Sequence, residues 1–417
     1  MKIAVGLRLF PRLREQRGGT LPASLMALAV GALVMAPFLG HLSTSMLAGS
    51  AALGDLFKQY SADTSIEFVI WKLLNDSAFR SSVDATPGTP VSVSPPVTIN
   101  GITTSTSANA LLGSPWTDLA FPPITISDGG TLAYDGSDYI YALRGNNTAE
   151  LWRYSISGDS WVAMNGALGN IGAGGALVHD GGDYLYATQG SDIRNFWRYS
   201  ISGDSWTSMA RIRVGGVHMG AGLAFDGGNY IFAIRGDNQR NFYRYDISAD
   251  SWSTMKRAPG KVSAGGALTY TSGDYIYALR GNNSTTFWRY SISGNSWTTM
   301  ASTPANVAGG GSLTYTGGDD IYAFRGNTST DFWSYQISGD VWTPAASAPE
   351  TVGFGGALAW TSGSDIYALR GNNQSNFWLF GAAPPEYDLA TTAGDFTINA
   401  RIRINGTTVT VLEWDIN

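Results

Sequence analysis

Hydrophobic and polar positions change period along the chain. Leu21 to Leu39 run without one charge. From His41 to Leu74, apolar residues recur at helical spacing: Leu42, Met46, Leu53, Leu56, Phe57 and Tyr60, then Ile66, Val69, Ile70, Leu73 and Leu74. This pattern predicts one helix over residues 20–74, its first half apolar on every side over about 21–39, long enough to span hydrocarbon, and its second half amphipathic. Further on the period falls to two. Short aromatic and β-branched runs, separated by Gly, Asn, Asp and Ser, predict strands and tight turns over most of the remaining length.

The strand region is repetitive. Trp116, Trp161, Trp206, Trp252, Trp297 and Trp342 lie 45, 45, 46, 45 and 45 residues apart, a period that signals a propeller or a solenoid. One unit reads Gly265-Gly266-Ala267-Leu268-Thr269-Tyr270, then Asp274 to Gly281, then Phe287-Trp288-Arg289-Tyr290-Ser291-Ile292, then Ser296-Trp297-Thr298-Thr299-Met300. That is four short strands. Small residues open each unit, at Gly129-Gly130, Gly174-Gly175, Ala221-Gly222, Gly265-Gly266, Gly310-Gly311 and Gly355-Gly356, as an innermost strand near an axis requires. The first three strands occur six times, and so does the Trp strand, but Trp116 precedes every other strand while the last unit ends near Phe380 without one. A six-bladed ring in which the Trp116 strand completes the final blade leaves no orphan edge. The small-residue opening, the Ile-Tyr strand ending in Gly, the Tyr-containing strand and the closing Trp resemble the kelch propeller family over about 115–381. The Gly pair of that family is Arg-Gly here, at Arg144, Arg235, Arg280, Arg325 and Arg370, with Gln189 in the second unit.

The N terminus carries a second resemblance. Lys2, Arg8, Arg12, Arg14 and Arg17 stand against the single acid Glu15, and Arg17-Gly18-Gly19-Thr20-Leu21-Pro22 leads into the apolar run. This is similar to the leader and first turns of type IV prepilins and pseudopilins. The resemblance implies cleavage between Gly19 and Thr20 by a prepilin peptidase, a helix held in the inner membrane, and later packing with other pilin-like subunits. Thr20 stands where the family has Phe, and Ser24 where it has an acid, as in minor and tip-located members.

Neighbouring ends suit a ring inserted into another domain. Val97-Thr98-Ile99-Asn100-Gly101-Ile102 before the ring is an alternating strand with an Asn-Gly turn, and Asp395 to Thr407 after it repeats the device. The expected fold is therefore mainly β: a basic leader (1–19), the long helix (20–74), a small pilin-like sheet domain (75–112 and 384–417), and a kelch-like propeller over 113–383 inserted in it.

Composition narrows the chemistry. Gly is 52 of 417 residues and charged residues are 14%, against a usual ~7% and ~25%, which fits many turns and strands. No Cys is present, so disulfides, thiol nucleophiles, Cys-ligated zinc and the Cys cross-link of kelch-type copper oxidases are excluded. A net charge of -6 argues against a nucleic-acid partner. His41, His179 and His218 are too few and too scattered for a metal site, and no cofactor loop or catalytic triad is present.

The recurring Arg144, Arg235, Arg280, Arg325 and Arg370, with Gln189, are the leading ligand candidates. Leaning toward the axis, the five guanidinium groups would form an anion site for carboxylates or sulfates. The alternative pairs each with an Asp, such as Asp138, Asp183, Asp274, Asp320 or Asp365, and ties the sheets together. Arg153, Arg198, Arg244 and Arg289 are expected to stack on neighbouring rings. The turns at Asn146-Asn147, Asp237-Asn238, Asn282-Asn283, Asn327-Thr328 and Asn372-Asn373 suit either hydrogen bonding to a ligand or turn geometry alone. Together these features imply a surface or tip subunit displaying a propeller for adhesion to a glycan or protein, and not an enzyme. A membrane-anchored scaffold without filament assembly, and a hydrolase acting on polysaccharide, are the competing readings.

Overall fold

The structure, a computed structural model, describes residues 50–417 apart from 100, 112–114, 214, 382–384 and 406. The chain divides into two compact units, Met1–Gly113 with Pro384–Asn417, and Ser114–Ala383. The basic leader, the Gly19-Thr20 bond and the 21–39 run lie outside the described residues. No helix among the described residues is long and apolar enough to cross a membrane.

In the first unit, helix α1 (Ser50–Asn75) buries Ala62, Ile66, Val69 and Leu73, a single stripe at helical spacing. The stripe packs on an antiparallel sheet whose strands run in the order Val91–Ser92, Ser105–Leu111, Glu386–Ala393, Phe396–Asn405 and Thr408–Ile416. Tyr387, Leu389, Ile398, Ala400 and Ile402 supply the facing side chains. Buried hydroxyls are paired: Ser65 with Thr104 and Thr106 with Thr391, both at 2.8 Å. Two expectations need correction. A second helix, α2 (Ser77–Asp84), follows α1, begun by Asp76, whose carboxylate accepts the Phe79 amide at 3.0 Å. The Asn-Gly hairpin is a separate two-stranded piece, Thr98–Ile99 with Ile102–Thr103, and it is the next segment, Ser105–Leu111, that enters the sheet. That strand pairs directly with Glu386–Ala393, Leu111 lying opposite Glu386.

The second unit is a multi-bladed β-propeller of six four-stranded antiparallel sheets. Blades I to V span 131–164, 176–208, 222–254, 267–299 and 312–344; blade VI joins 357–380 to Trp116–Asp118. Innermost strands touch in succession around the ring, and the strand of blade VI (Ala357–Ser362) meets that of blade I (Thr131–Tyr134). Trp116 sits opposite Phe380, so the earliest strand of the ring completes its last sheet. Near the axis a side chain has no room: a Cβ on Gly129, at φ +84°, would lie 2.1 Å from the carbonyl oxygen of Gly172 in the next blade's approach loop.

Farther out, aromatic rings fill the widening gaps. Phe196 of blade II meets Tyr245 and Trp252 of blade III edge-on, with ring centroids 4.8 and 4.9 Å apart. Each Trp also bolts its blade to the loop that leads into it. The Nε1 groups of Trp116, Trp161, Trp206, Trp252, Trp297 and Trp342 donate to the carbonyls of Ala346, Ala120, Asn165, Ala210, Lys256 and Ala301 at 2.7–3.0 Å. The period visible in the sequence is this bolt. Arg153, Arg198, Arg244 and Arg289 stack on Tyr139, Tyr184, Tyr230 and Tyr275 at 4.2–4.3 Å, as their placement between aromatics implies.

Candidate functional site

Two sets of loops share one end of the ring: those joining the second and third strands of a blade, and those leading from an outer strand to the next inner strand. Backbone bridges tie them in pairs, Thr148 to Ile171, Ile193 to Val217, Gln239 to Val262, Ser284 to Val307, Ser329 to Val352 and Gln374 to Ile126. The first set turns through left-handed residues. Gly145, Asn146 and Asn147 have φ of +69°, +51° and +57°, and the tips at Asp237-Asn238, Asn282-Asn283, Asn327-Thr328 and Asn372-Asn373 repeat the pattern. Asn and Asp tolerate that region better than other side-chain-bearing residues, so backbone geometry accounts for their recurrence. A Cβ on Gly145 would approach the Asp128 carbonyl oxygen to 2.3 Å, and the Asn146 amide donates to that same oxygen at 2.8 Å.

The recurring arginines brace these loops. The Nε of Arg144, Arg235, Arg280, Arg325 and Arg370 donates to the carbonyls of Thr125, Gly216, Lys261, Asn306 and Thr351, each nineteen residues earlier, at 2.9–3.2 Å. Their remaining nitrogens reach Glu150 from Arg144, Asp192 and Asp237 from Arg235, Ser284 from Arg280, Asp331 from Arg325, and Asn376 and Glu350 from Arg370. In the second unit Gln189 accepts from Asn195 Nδ2 at 2.8 Å. None of the five aspartates offered as partners by the sequence is among these groups, and four are engaged elsewhere, Asp320 by the Ser334 hydroxyl at 3.3 Å. Asp138, Asp183 and Asp274 accept Ser155, Ser200 and Ser291 hydroxyls and the amides of Ser157, Ser202 and Ser293, in the outer hairpins. Those hydrogen bonds hold all three carboxyls below the usual range.

At the axis, a narrow opening of ≈ 80 Å³ is lined by the six glycine-rich turns together with Asp128, Met219 and Phe354; the arginine series and Gln189 are not among its lining residues. Here the sixfold repetition stops. The third unit's small pair is Gly220-Ala221, one residue earlier than the sequence pattern places it, because Gly220 has the φ of +81° that matches Gly129 at +84° and Gly174 at +86°. The residue before the pair is then Asp128, Ala173, Met219, Ala264, Gly309 and Phe354 in successive units, and the one before it is Ser127, Gly172, His218, Ser263, Ala308 and Gly353. Phe354 is 41% exposed and lies over Gly309 of the neighbouring turn, where a Cβ would come within 2.5 Å of its ring. Burial raises the Asp128 carboxyl above its ordinary range, and the charge of His218 partly opposes this. A carboxyl, a thioether and an exposed ring around one small opening offer both polar and apolar contacts to a ligand.

His179, by contrast, substitutes for a structural residue. Its Nε2 bonds the Gly182 carbonyl at 2.9 Å, in the place where Tyr134 reaches Ser137 and Trp360 reaches Gly363. Among the described residues, no group of three or more His, Asp or Glu side chains is placed to hold a metal ion. Asp128, Met219 and Phe354 were not candidates in the sequence. The signal for them was present as a column of the repeat, just before the small pair, in which the residue type changes from unit to unit.

No family model matches the chain, and no curated protein matches it. Similar solved structures include one described as "Structure of YjhT", 14% identical, with a TM-score of 0.50, covering 71% of this chain and 99% of that one. Another is a structural genomics protein of unknown function from Bacteroides thetaiotaomicron VPI-5482, 13% identical, with a TM-score of 0.49, covering 68% of this chain and 78% of that one. At such identity the likeness to the first speaks for the propeller fold alone.

Proposed function

We propose that the chain is a pilin-like cell-surface subunit that displays a six-bladed, kelch-like propeller for adhesion to a surface glycan or protein. In this reading the 21–39 run inserts in the inner membrane, a prepilin peptidase cuts after Gly19, and the freed helix packs with other pilin-like subunits at a filament or its tip. The observation that carries the display role is the pairing of Ser105–Leu111 with Glu386–Ala393, which makes Ser114–Ala383 an insert between two neighbouring strands. A helix laid on that small antiparallel sheet agrees with the pilin resemblance of residues 17–31. The binding role is supported by Asp128, Met219 and Phe354, which line the axial opening and depart from the repeat there.

Two experiments test this. Gly19→Ala is expected to leave the chain unprocessed and missing from material sheared from the cell surface. If the unprocessed chain reaches the same surface assembly, the pilin reading fails and a membrane-anchored scaffold replaces it. The full chain with Asp128→Asn and Phe354→Ala is expected to lose binding to glycans that the parent retains on an array. Binding unchanged by both substitutions removes the axial opening as the site, and turnover of any glycan replaces adhesion with hydrolysis.

A further inference from the structure

The repeat serves as an internal control, because a residue required by the fold recurs at the same place in every junction between blades. Backbone pairs link Arg194 to Ile212 and Arg240 to Ala258, and the same pair is Ala149 with Ala167, Thr285 with Thr303 and Thr330 with Ala348 elsewhere. Beyond the bracing arginines, only the junctions II/III and III/IV carry cations. The first gathers Arg194, Arg211 and Arg213, and the second gathers Arg240, Arg257 and Lys261. Where Arg211 and Arg257 stand, the other units have Gly166, Ser302, Ser347 and Phe121, so no structural demand accounts for the charge.

All six cations are exposed, and among the described residues none has an ion-pair partner. The Nε of Arg194 and of Arg240 donates to the Ile212 and Ala258 carbonyls at 2.5 and 2.6 Å, which fixes each guanidinium at its base and leaves its other nitrogens to solvent. Six unpaired cations on two adjacent junctions of one end repel one another, in a chain of net charge -6. Beside Arg211 runs a groove of ≈ 260 Å³ lined by Leu168, Trp197, Met209, Asn195 and Ser208, with Leu168 54% exposed. Apolar walls with amide, hydroxyl and guanidinium groups at the edge suit a sugar ring, which has apolar faces and polar rims.

We propose that these two junctions form a cationic track for an acidic polysaccharide, with one sugar seated in the groove beside Arg211 and successive carboxylates or sulfates spanning to Arg240, Arg257 and Lys261. The proposal rests on the glycan-binding reading above and adds to it a ligand class and a second site, which shares no lining residue with the axial opening. A single-stranded nucleic acid would need exposed aromatic platforms along the track, but Trp197 at the groove is buried, and the exposed aromatic rings of this unit, Phe121 and Phe354, lie at other junctions.

The test titrates the full chain with polygalacturonate, neutral dextran, poly(dT) and phosphatidylglycerol vesicles at several salt concentrations. Polygalacturonate is expected to bind, with an affinity that falls steeply as salt rises. A variant carrying Arg194→Thr, Arg211→Ser, Arg240→Thr and Arg257→Ser takes the residues that the fold already uses at junction IV/V, and an unchanged near-UV spectrum checks that it is folded. Its affinity for polygalacturonate is expected to drop about a hundredfold, from the lost guanidinium-carboxylate contacts, with the salt dependence flattened. Equal affinity of variant and parent overturns the track. Binding of dextran but not polygalacturonate overturns the acidic ligand and leaves glycan display standing, whereas a chain that binds no glycan overturns both. Tighter binding of poly(dT) or vesicles than of polygalacturonate overturns the choice of polysaccharide.

Discussion

The indole Nε1 of Trp116 donates to the carbonyl oxygen of Ala346 at 2.9 Å, across 230 residues of chain. Five other Trp side chains make the same bond, but only this one belongs to the strand that completes blade VI. The ring is thus shut by three residues, Trp116–Asp118, and by one aromatic cluster in which Trp116 meets Phe332 and Phe380 at 5.0 and 4.9 Å.

Trp116→Ala is therefore expected to cost about 3–5 kcal/mol, since it removes a buried ring, a hydrogen bond and most of a short strand. Trp206→Ala removes an equivalent bond from a more exposed indole in a blade of contiguous strands, and is expected to cost about half as much. Urea melts of both variants check the order. Equal losses would mean that closure adds nothing to the stability of the ring.

Gly145→Ala and Gly136→Ala separate two effects. Both residues have positive φ, but only Gly145 has a backbone oxygen within 2.3 Å of the added Cβ, whereas Gly136 has nothing within 4 Å. The first change is expected to cost about 3 kcal/mol and the second about 1 kcal/mol, the conformational part alone. Thermal unfolding of the two variants measures the difference.

Arg325 is placed to brace, through Asn306 at 3.1 Å and Asp331 at 2.8 Å. Because Asp331 is 39% exposed, solvent screens the pair, and Arg325→Met is expected to cost only about 1 kcal/mol. Glycan binding should not change. Loss of binding at unchanged stability would assign Arg325 to a ligand instead.

Alkaline titration probes the aromatic interior. Burial pushes the Tyr290 and Tyr367 phenols up to about 12, against about 10 in an unfolded chain. The neutral phenol is favoured by the fold, so this contribution is complete below pH ~10 and is lost as pH rises from ~10 through ~12. The urea midpoint should decline over that window, and phenolate absorbance should show a late fraction of tyrosines that ionise as the protein unfolds. Tyr290→Phe should make the decline shallower. A single early titration step would show that the rings between blades are open to solvent.

The ring was legible because its positions repeat for mechanical reasons. Trp recurs as the bolt to the preceding loop, small pairs recur where inner strands converge, and the orphan Trp116 strand marked the closing edge. The arginine partners were not legible. A carbonyl nineteen residues upstream is brought to Arg280 by loop geometry, which alternation along a strand does not encode. Helix α2 was missed because its start depends on a local cap at Asp76 and not on a long apolar stripe. The axial residues escaped for the opposite reason: likeness between units marks structural positions, and Asp128, Met219 and Phe354 differ from unit to unit.

Because Leu111 and Glu386 are partners in one ladder, the sheet of the first unit already has its full set of neighbours on either side of the junction. A tight turn between those two residues would serve the sheet as well as the whole wheel does. The joint therefore works as a socket. Any module whose two ends emerge a strand's width apart fits it, so the two units are free to diversify on separate evolutionary schedules.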